Sequence, residues 1–246
     1  MSAGLFDGFL TEQVRLATSG PMLEIGVAHG RSALMLAEHL RKDETLYLND
    51  NHEGRLAGAV ASLKASFPEA RFKPLLCRSE EIAGKGLPAR KFRFIHIDGN
   101  HMRSYLLKDM ATADLLLSET GILSLDDFLA PQYFSATFAA VEYVVRQPNS
   151  FRFILVGYNK AYLCRPLAYL FWLTFIRDRL PGHLRGCDLG DFTIWKSEHG
   201  DDFMGFGIAG RQFDKDFFTW RVYGEAYGLE NRIERGVAEE VDFDSL

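Results

Sequence analysis

Only three cysteines occur in 246 residues: Cys77, Cys164 and Cys187. Their number is odd and their spacing wide, which argues against a disulfide framework or a zinc site with the usual paired spacing. The expectation is three buried, reduced thiols in a cytoplasmic protein. Long apolar runs are also missing. The longest, Leu167 to Ile176, is about half the roughly 20 residues a membrane-spanning helix needs. The N-terminus lacks the basic region and apolar stretch of a secretory signal. Basic charge is in deficit, with 28 Lys and Arg against 33 Asp and Glu, a net charge of −5. Nucleic acid, whose backbone attracts basic proteins, is therefore not an expected partner. The first strand-to-helix turn departs from the dinucleotide fingerprint G-x-G-x-x-G, and internal repeats and low-complexity linkers are absent.

What is present is an ordinary globular composition, 47% hydrophobic and 25% charged, with enough apolar material to offset the ordering entropy of the chain. At about 150 residues per domain the length gives roughly 1.6 domains. Aromatic residues are unevenly placed: 19 of 32 follow residue 150, including all three Trp.

From residue 21 to about 130, strand and helix alternate. Apolar runs at Met22–Ile25, Thr45–Leu48, Arg71–Cys77, Phe92–Ile97 and Ile122–Leu125 are the strands. Helical spacing is seen at Arg31–Lys42, Arg55–Phe67, Met102–Ser118 (stopped by Gly121) and Gln132–Arg146, with a short helix capped by Ser79. Such a series predicts an α/β fold, a doubly wound, Rossmann-like, mostly parallel sheet with helices on both faces. Phe151–Gly157 and Lys160–Cys164, joined at Tyr158-Asn159, read as an antiparallel hairpin that completes a seven-stranded sheet with an antiparallel last strand. Residues 1–165 are the expected domain. Residues 166–246 form an aromatic-rich α/β annex without a core of its own: an apolar helix up to a Pro181-Gly182 break, strands at Asp191–Lys196 and Phe203–Ala209, and an acidic tail from Glu239. The annex is expected to cap a substrate site or to form a homo-oligomer contact, through aromatic residues such as Phe171, Trp172, Phe175, Trp195 and Phe206.

Ligands on doubly wound sheets bind at the carboxyl ends of the strands, and the suggestive residues cluster there. Glu24-Ile-Gly26-Val-Ala-His-Gly30-Arg-Ser32 is a strand-to-helix turn whose glycines let the backbone come close to a ligand. The acidic Glu24 suits a cationic ligand better than a phosphate. Asp50, ending the second strand, could accept both hydroxyls of a ribose. Asp98-Gly99-Asn100-His101 and Asp126-Asp127 bring three carboxylates to one rim if strands four and five are neighbours. Packed carboxylates repel unless a cation is present, and an all-oxygen set suits Mg²⁺ or Ca²⁺. His101 is placed to act on a substrate proton nearby.

These residues resemble those of class I S-adenosylmethionine-dependent methyltransferases. The chain is most similar to the metal-dependent sugar O-methyltransferases, a group with a cephalosporin-hydroxylase-like branch. The resemblance spans about residues 15 to 165. It rests on Glu24-x-Gly26-x-x-x-Gly30-x-Ser32, Asp50-x-x-Glu53-Gly54, Ile97-Asp98-Gly99-Asn100-His101 and Gly121 followed by Asp126-Asp127. It implies S-adenosylmethionine as cofactor, with Glu24 and Gly26 under its methionine end, Asp50 at the ribose, Ser79 near the adenine, and Gly30, Ser32 and Asp98 also among the cofactor-binding residues. It also implies Mg²⁺ or another divalent cation on Asp98, Asp126 and Asp127, His101 as general base, and a small sugar-like or diol-bearing substrate. Asn100 and Thr120 depart from the pattern, which often has Asp and Gly there; the first departure shifts the base role to His101. Two other readings share the fold: a nicotinamide-dependent oxidoreductase, and a non-catalytic relative that uses the annex for self-association.

Overall fold

The computed structural model describes residues 1–196 and 204–210. Expectations for Phe203 and for the acidic tail from Glu239 fall outside these residues. The chain opens with a helix that the strand-helix reading passed over, α1 (Ser2–Arg15), whose Leu5, Phe6, Phe9 and Leu10 are buried. Then follow β1 (Met22–Ile25), α2 (Arg31–Glu38), β2 (Thr45–Asp50), α3 (Glu53–Ser66), β3 (Arg71–Leu76), β4 (Phe92–Ile97), α4 (Arg103–Leu116), β5 (Leu117–Asp126) and α5 (Phe134–Arg146). The hairpin is β6 (Arg152–Gly157) and β7 (Lys160–Cys164), and the annex holds α6 (Tyr169–Asp178), α7 (Leu180–Gly186), β8 (Phe192–Lys196) and β9 (Phe206–Gly210).

Among the described residues one mixed sheet of nine strands runs β3-β2-β1-β4-β5-β7-β6-β9-β8. Neighbours from β3 through β5 are parallel, and β7 is antiparallel to both β5 and β6. The seven strands expected become nine because β9 adds to the free edge of β6, pairing Leu155 with Phe206 and Val156 with Gly207, and β8 adds to β9. An unpaired edge offers a row of unsatisfied backbone groups, so extending the sheet is the natural place for extra strands. Two apolar layers cover the sheet faces. One joins α1, α2 and α3 to α6 and α7; the other holds α4 and α5. Annex residues share the first layer: Trp172 is fully buried, and Phe9 lies between it and Tyr162 at centroid distances of 5.6 and 4.5 Å.

Three local expectations are corrected. Gly121 does not end a helix: α4 runs straight into β5 and Gly121 lies within the strand. A Cβ at Gly121 would sit 2.9 Å from the Phe92 carbonyl oxygen, beside the register shift between Phe92 and Phe94, so the glycine serves a bulge. Pro181 and Gly182 start α7 rather than break the chain out of helix, because proline is tolerated in a first turn. Ser79 opens a 3₁₀ segment over Ser79–Lys85 and Arg78, not Ser79, is its N-cap, without a side-chain capping bond.

Candidate functional site

A cavity of about 680 Å³ opens at the carboxyl ends of β1, β2 and β4, within the range of small-molecule sites. Its floor is the turn after β1. Gly26 has φ 89°, and a Cβ there would lie 2.1 Å from the Asp98 carbonyl oxygen. Only glycine allows the β1 and β4 turns to pass so closely. Gly30 (φ 75°) caps α2 in the same left-handed region. Backbone N–H groups of Gly26 and Val27 both donate to the Asn49 carbonyl, at 2.9 and 3.0 Å, which ties this turn to β2.

Glu24 lies beneath the turn and is fully buried. Ser32 Oγ donates to its Oε1, while Oε2 has no hydrogen-bond partner. Burial pushes its carboxyl up to about 8, because an anion loses its hydration there. A buried acid with one oxygen unsatisfied fits a cationic ligand group. Asp50 ends β2 and is nearly buried; its Oδ2 accepts from Ala28 N–H at 2.9 Å and its Oδ1 from His52 N–H at 2.8 Å. Each oxygen keeps a lone pair, so Asp50 is oriented yet still able to accept further bonds. Asp50 and Ser79 both line the cavity. The structure thus brings together Gly26, Asp50, Ser79, Asp98 and His101 in the cavity wall, with Glu24 and Ser32 in the layer below and Gly30 capping the adjoining helix.

The acidic rim is more structured than three converging carboxylates. β7 runs antiparallel beside β5 with Lys160 opposite Asp126. The ammonium of Lys160, a residue 8% exposed, lies 2.7 Å from Asp126 Oδ2. Asp126 Oδ1 accepts the Asp127 N–H at 2.9 Å. Burial alone would raise the Asp126 carboxyl, but Lys160 reverses this and holds it below the usual range. His96, fully buried at 3.9 Å from Asp126, is pushed down to about 3 by burial and by Lys160, and is neutral. Asp127 adopts φ 53°, and Asn159, in the hairpin turn, donates to its Oδ1. Its Oδ2 is 3.2 Å from His101 Nε2, and the His101 ring stacks on Tyr133 at 4.0 Å and 23°. Asn100 is committed to its own turn, with Oδ1 accepting the Met102 N–H at 2.9 Å. Asp98 accepts no side-chain hydrogen bond among the described residues; burial first, then the Asp126 charge, pushes it up to about 7.

Ligand atoms within 4.8 Å of one another are offered by His96, Asp98 and Asp126, and separately by Asp98, His101 and Asp127. Asp126 and Asp127 therefore belong to different groups that share Asp98. Sequence reading missed Lys160 and Asn159. The available signal was two polar residues meeting an otherwise apolar hairpin, opposite an acidic pair.

Residues 23–128 match a family model described as a methyltransferase domain. Over these residues, under half of the 246, the chain is similar to methyltransferase domains. No curated protein matches it. Among solved structures, the methyltransferase fold is similar to a Corynebacterium glutamicum protein (TM-score 0.54, 20% identity, 67% of this chain and 80% of that one). It is also similar to CalS11, a TDP-rhamnose 3'-O-methyltransferase of calicheamicin biosynthesis (TM-score 0.54, 17% identity, 67% and 79%). A third likeness is to PaMTH1, a Podospora anserina methyltransferase solved with SAH (TM-score 0.51, 20% identity, 64% and 76%). That similarity favours the methyltransferase reading over the oxidoreductase one. S-adenosylmethionine fits the residues present: Gly26 leaves room at the cavity floor, and the orphaned Glu24 oxygen suits the cationic end of this cofactor. No helix among the described residues is long and apolar enough to cross a membrane.

Proposed function

We propose that the domain methylates a hydroxyl of a small, sugar-like or diol-bearing molecule, with His101 as general base. The observation that carries this reading is His101 in the cavity wall, 3.2 Å from Asp127 and backed by the Tyr133 ring. With Nε2 directed at Asp127, Nδ1 is the ring nitrogen available to take the proton of an acceptor hydroxyl. S-adenosylmethionine, when bound, supplies an electrophilic methyl group on a sulfonium. Asp127 orients the ring and stabilises the imidazolium that forms, and Tyr133 fixes its plane. Asp50, Ser79 and the Gly26 turn hold the cofactor, and Glu24 meets its positive charge. The result expected on screening hydroxylated acceptors is release of S-adenosylhomocysteine, with His101→Ala lowering turnover by about 10²–10⁴-fold and leaving cofactor affinity unchanged. Full turnover in His101→Ala would remove the base assignment; methylation of amines or thiols alone would remove O-transfer.

A divalent cation belongs to the same proposal, on a narrower set than the three aspartates. Asp126 is paired with the Lys160 ammonium, whose positive charge opposes a cation there, whereas Asp127 is held by the neutral Asn159 amide and by His101, so Asp98 and Asp127 are the carboxylates suited to Mg²⁺. Bound there, the ion would lower the pKa of the acceptor hydroxyl. Mn²⁺ titration followed by electron paramagnetic resonance checks the set. Asp127→Asn should weaken binding by tenfold or more, and by clearly more than Asp126→Asn does. Equal losses in the two variants would contradict the narrower set.

A further inference from the structure

A second cluster of metal-ligating side chains lies away from the cavity, where α1 meets α7. The two helices approach at Gly8. A Cβ there would lie 2.8 Å from Leu180 Cδ1 and 3.1 Å from His183 Cδ2, so the missing side chain is what admits the His183 ring. The approach sets His183 Nε2 2.8 Å from Asp7 Oδ2. The other oxygen, Oδ1, lies 2.7 Å from Nε2 of His39, at the end of α2. One turn beyond His183, Cys187 places Sγ 3.8 Å from the same Nε2. The ligand atoms of Asp7, His183 and Cys187 all lie within 4.8 Å of one another. Cys187 is the exposed cysteine of the three, so the expectation of three buried thiols fails at this one position.

We propose that Asp7, His183 and Cys187 form a binding site for a transition-metal cation, Zn²⁺ above all. Zinc bonds of about 2.0 Å to N and O and about 2.3 Å to S, at tetrahedral angles, put ligand atoms about 3.3–3.6 Å apart. The observed separations of 2.8 and 3.8 Å bracket that range. One thiolate, one imidazole and one carboxylate select zinc or cobalt over Mg²⁺, which prefers oxygen alone. The site lies at the surface, and the exposed Cys187 side leaves room for water as the fourth ligand. His39 holds the outer oxygen of Asp7 and so sets the carboxylate's orientation, as hydrogen-bond partners of metal ligands commonly do. On binding, the Cys187 thiol gives up its proton to solvent and His183 binds as the neutral imidazole, so the ion takes the place of the hydrogen between His183 and Asp7. No electron is transferred. The ion would add a clamp between the N-terminal helix and the annex at the surface edge of the apolar layer they share.

Titration of the full, reduced, metal-free chain with Co²⁺ tests this. With excess Mg²⁺ present to fill the cavity site, the wild-type protein should take up one equivalent of Co²⁺ with visible tetrahedral bands and a near-ultraviolet thiolate-to-cobalt absorption, displaced by one equivalent of Zn²⁺. Cys187→Ser should abolish the thiolate absorption, and His183→Gln should weaken uptake by tenfold or more, each with an unchanged circular dichroism spectrum. Asp127→Asn, in the cavity, should leave the signal intact. The proposal is overturned if the wild type shows no thiolate absorption, if Cys187→Ser keeps it, or if Asp127→Asn removes it.

Discussion

Lys160→Met is expected to destabilise the fold by about 3–5 kcal/mol, the usual cost of removing one partner from a buried ion pair. Lys160 is nearly buried and sits 2.7 Å from Asp126 Oδ2. It also opposes the burial-driven rise of two neighbouring acids, Asp98 and Glu24. Methionine fills similar volume but leaves Asp126 as an unpaired anion in a low-dielectric rim. The double variant Lys160→Met with Asp126→Asn should recover most of the loss, since no lone charge is left behind. The sign with pH follows from Asp126, which Lys160 holds below its ordinary value. Stability from a depressed carboxyl is present above its unfolded pKa and lost as pH falls through the folded one. The gap between wild type and Lys160→Met should therefore narrow in acid. Urea denaturation at neutral and at acidic pH measures both effects. A neutral-pH loss below about 1 kcal/mol, typical of exposed pairs, would show that Lys160 is not the counter-charge of this rim.

Glu24→Gln should act in opposite directions on stability and on binding. The Glu24 carboxyl is pushed from 4.5 up to about 8 by burial. Folded protein thus holds a proton that the unfolded chain releases, and stability falls as pH rises from about 4.5 to about 8, then levels off. Each tenfold change in proton affinity is worth about 1.4 kcal/mol, so the penalty above that window has a ceiling on the order of 4–5 kcal/mol. Glutamine keeps an oxygen for the Ser32 hydroxyl and carries no charge to desolvate. The variant should melt higher than wild type at pH 8.5 and equally at pH 4.5. At pH 8.5, where the carboxyl is ionised, the same change removes the charge proposed to meet the cationic cofactor, so S-adenosylmethionine affinity measured there by calorimetry should fall by about 10–100-fold, or about 1.4–2.8 kcal/mol. A variant that binds normally and melts lower at pH 8.5 would refute this role. The paired result, a more stable variant that binds less well, is the trade expected of a site residue carried at a cost in stability.

Much of the domain was legible because its signals are local. Apolar strands such as Phe92–Ile97, buried at every position, alternate with helical spacing, and Gly26 and Gly30 mark a turn only glycine permits. The hairpin turn at Tyr158-Asn159 was legible for the same reason, and both residues adopt positive φ. α1 carried its signal too, in Leu5, Phe6, Phe9 and Leu10, but the two glycines Gly4 and Gly8 make it look like a poor helix. Tertiary packing overrides that propensity: a Cβ at Gly4 would meet Leu189 at 2.4 Å and one at Gly8 would meet Leu180 at 2.8 Å. The annex strands were legible, but not the edge they would join, since edge pairing depends on residues far apart in the chain, such as Leu155 and Phe206.

The sequence by itself determined the order of strands and helices from β1 onward, the glycine turn after β1 and the acidic character of the rim. These follow from short-range spacing and residue type. The tertiary structure decided which of those acids stay available. Antiparallel pairing of β5 with β7 sets Lys160 against Asp126, the adjoining turn sets Asn159 against Asp127, and Asp98 is left with its oxygens uncommitted. The same holds for the scarce cysteines. Cys187 looks unpartnered along the chain, and only the approach of α7 to α1 brings Asp7 within reach of His183 and its thiol. Charge compensation and metal geometry act over a few ångströms in space, and separations of that size between distant residues exist only once the chain has folded.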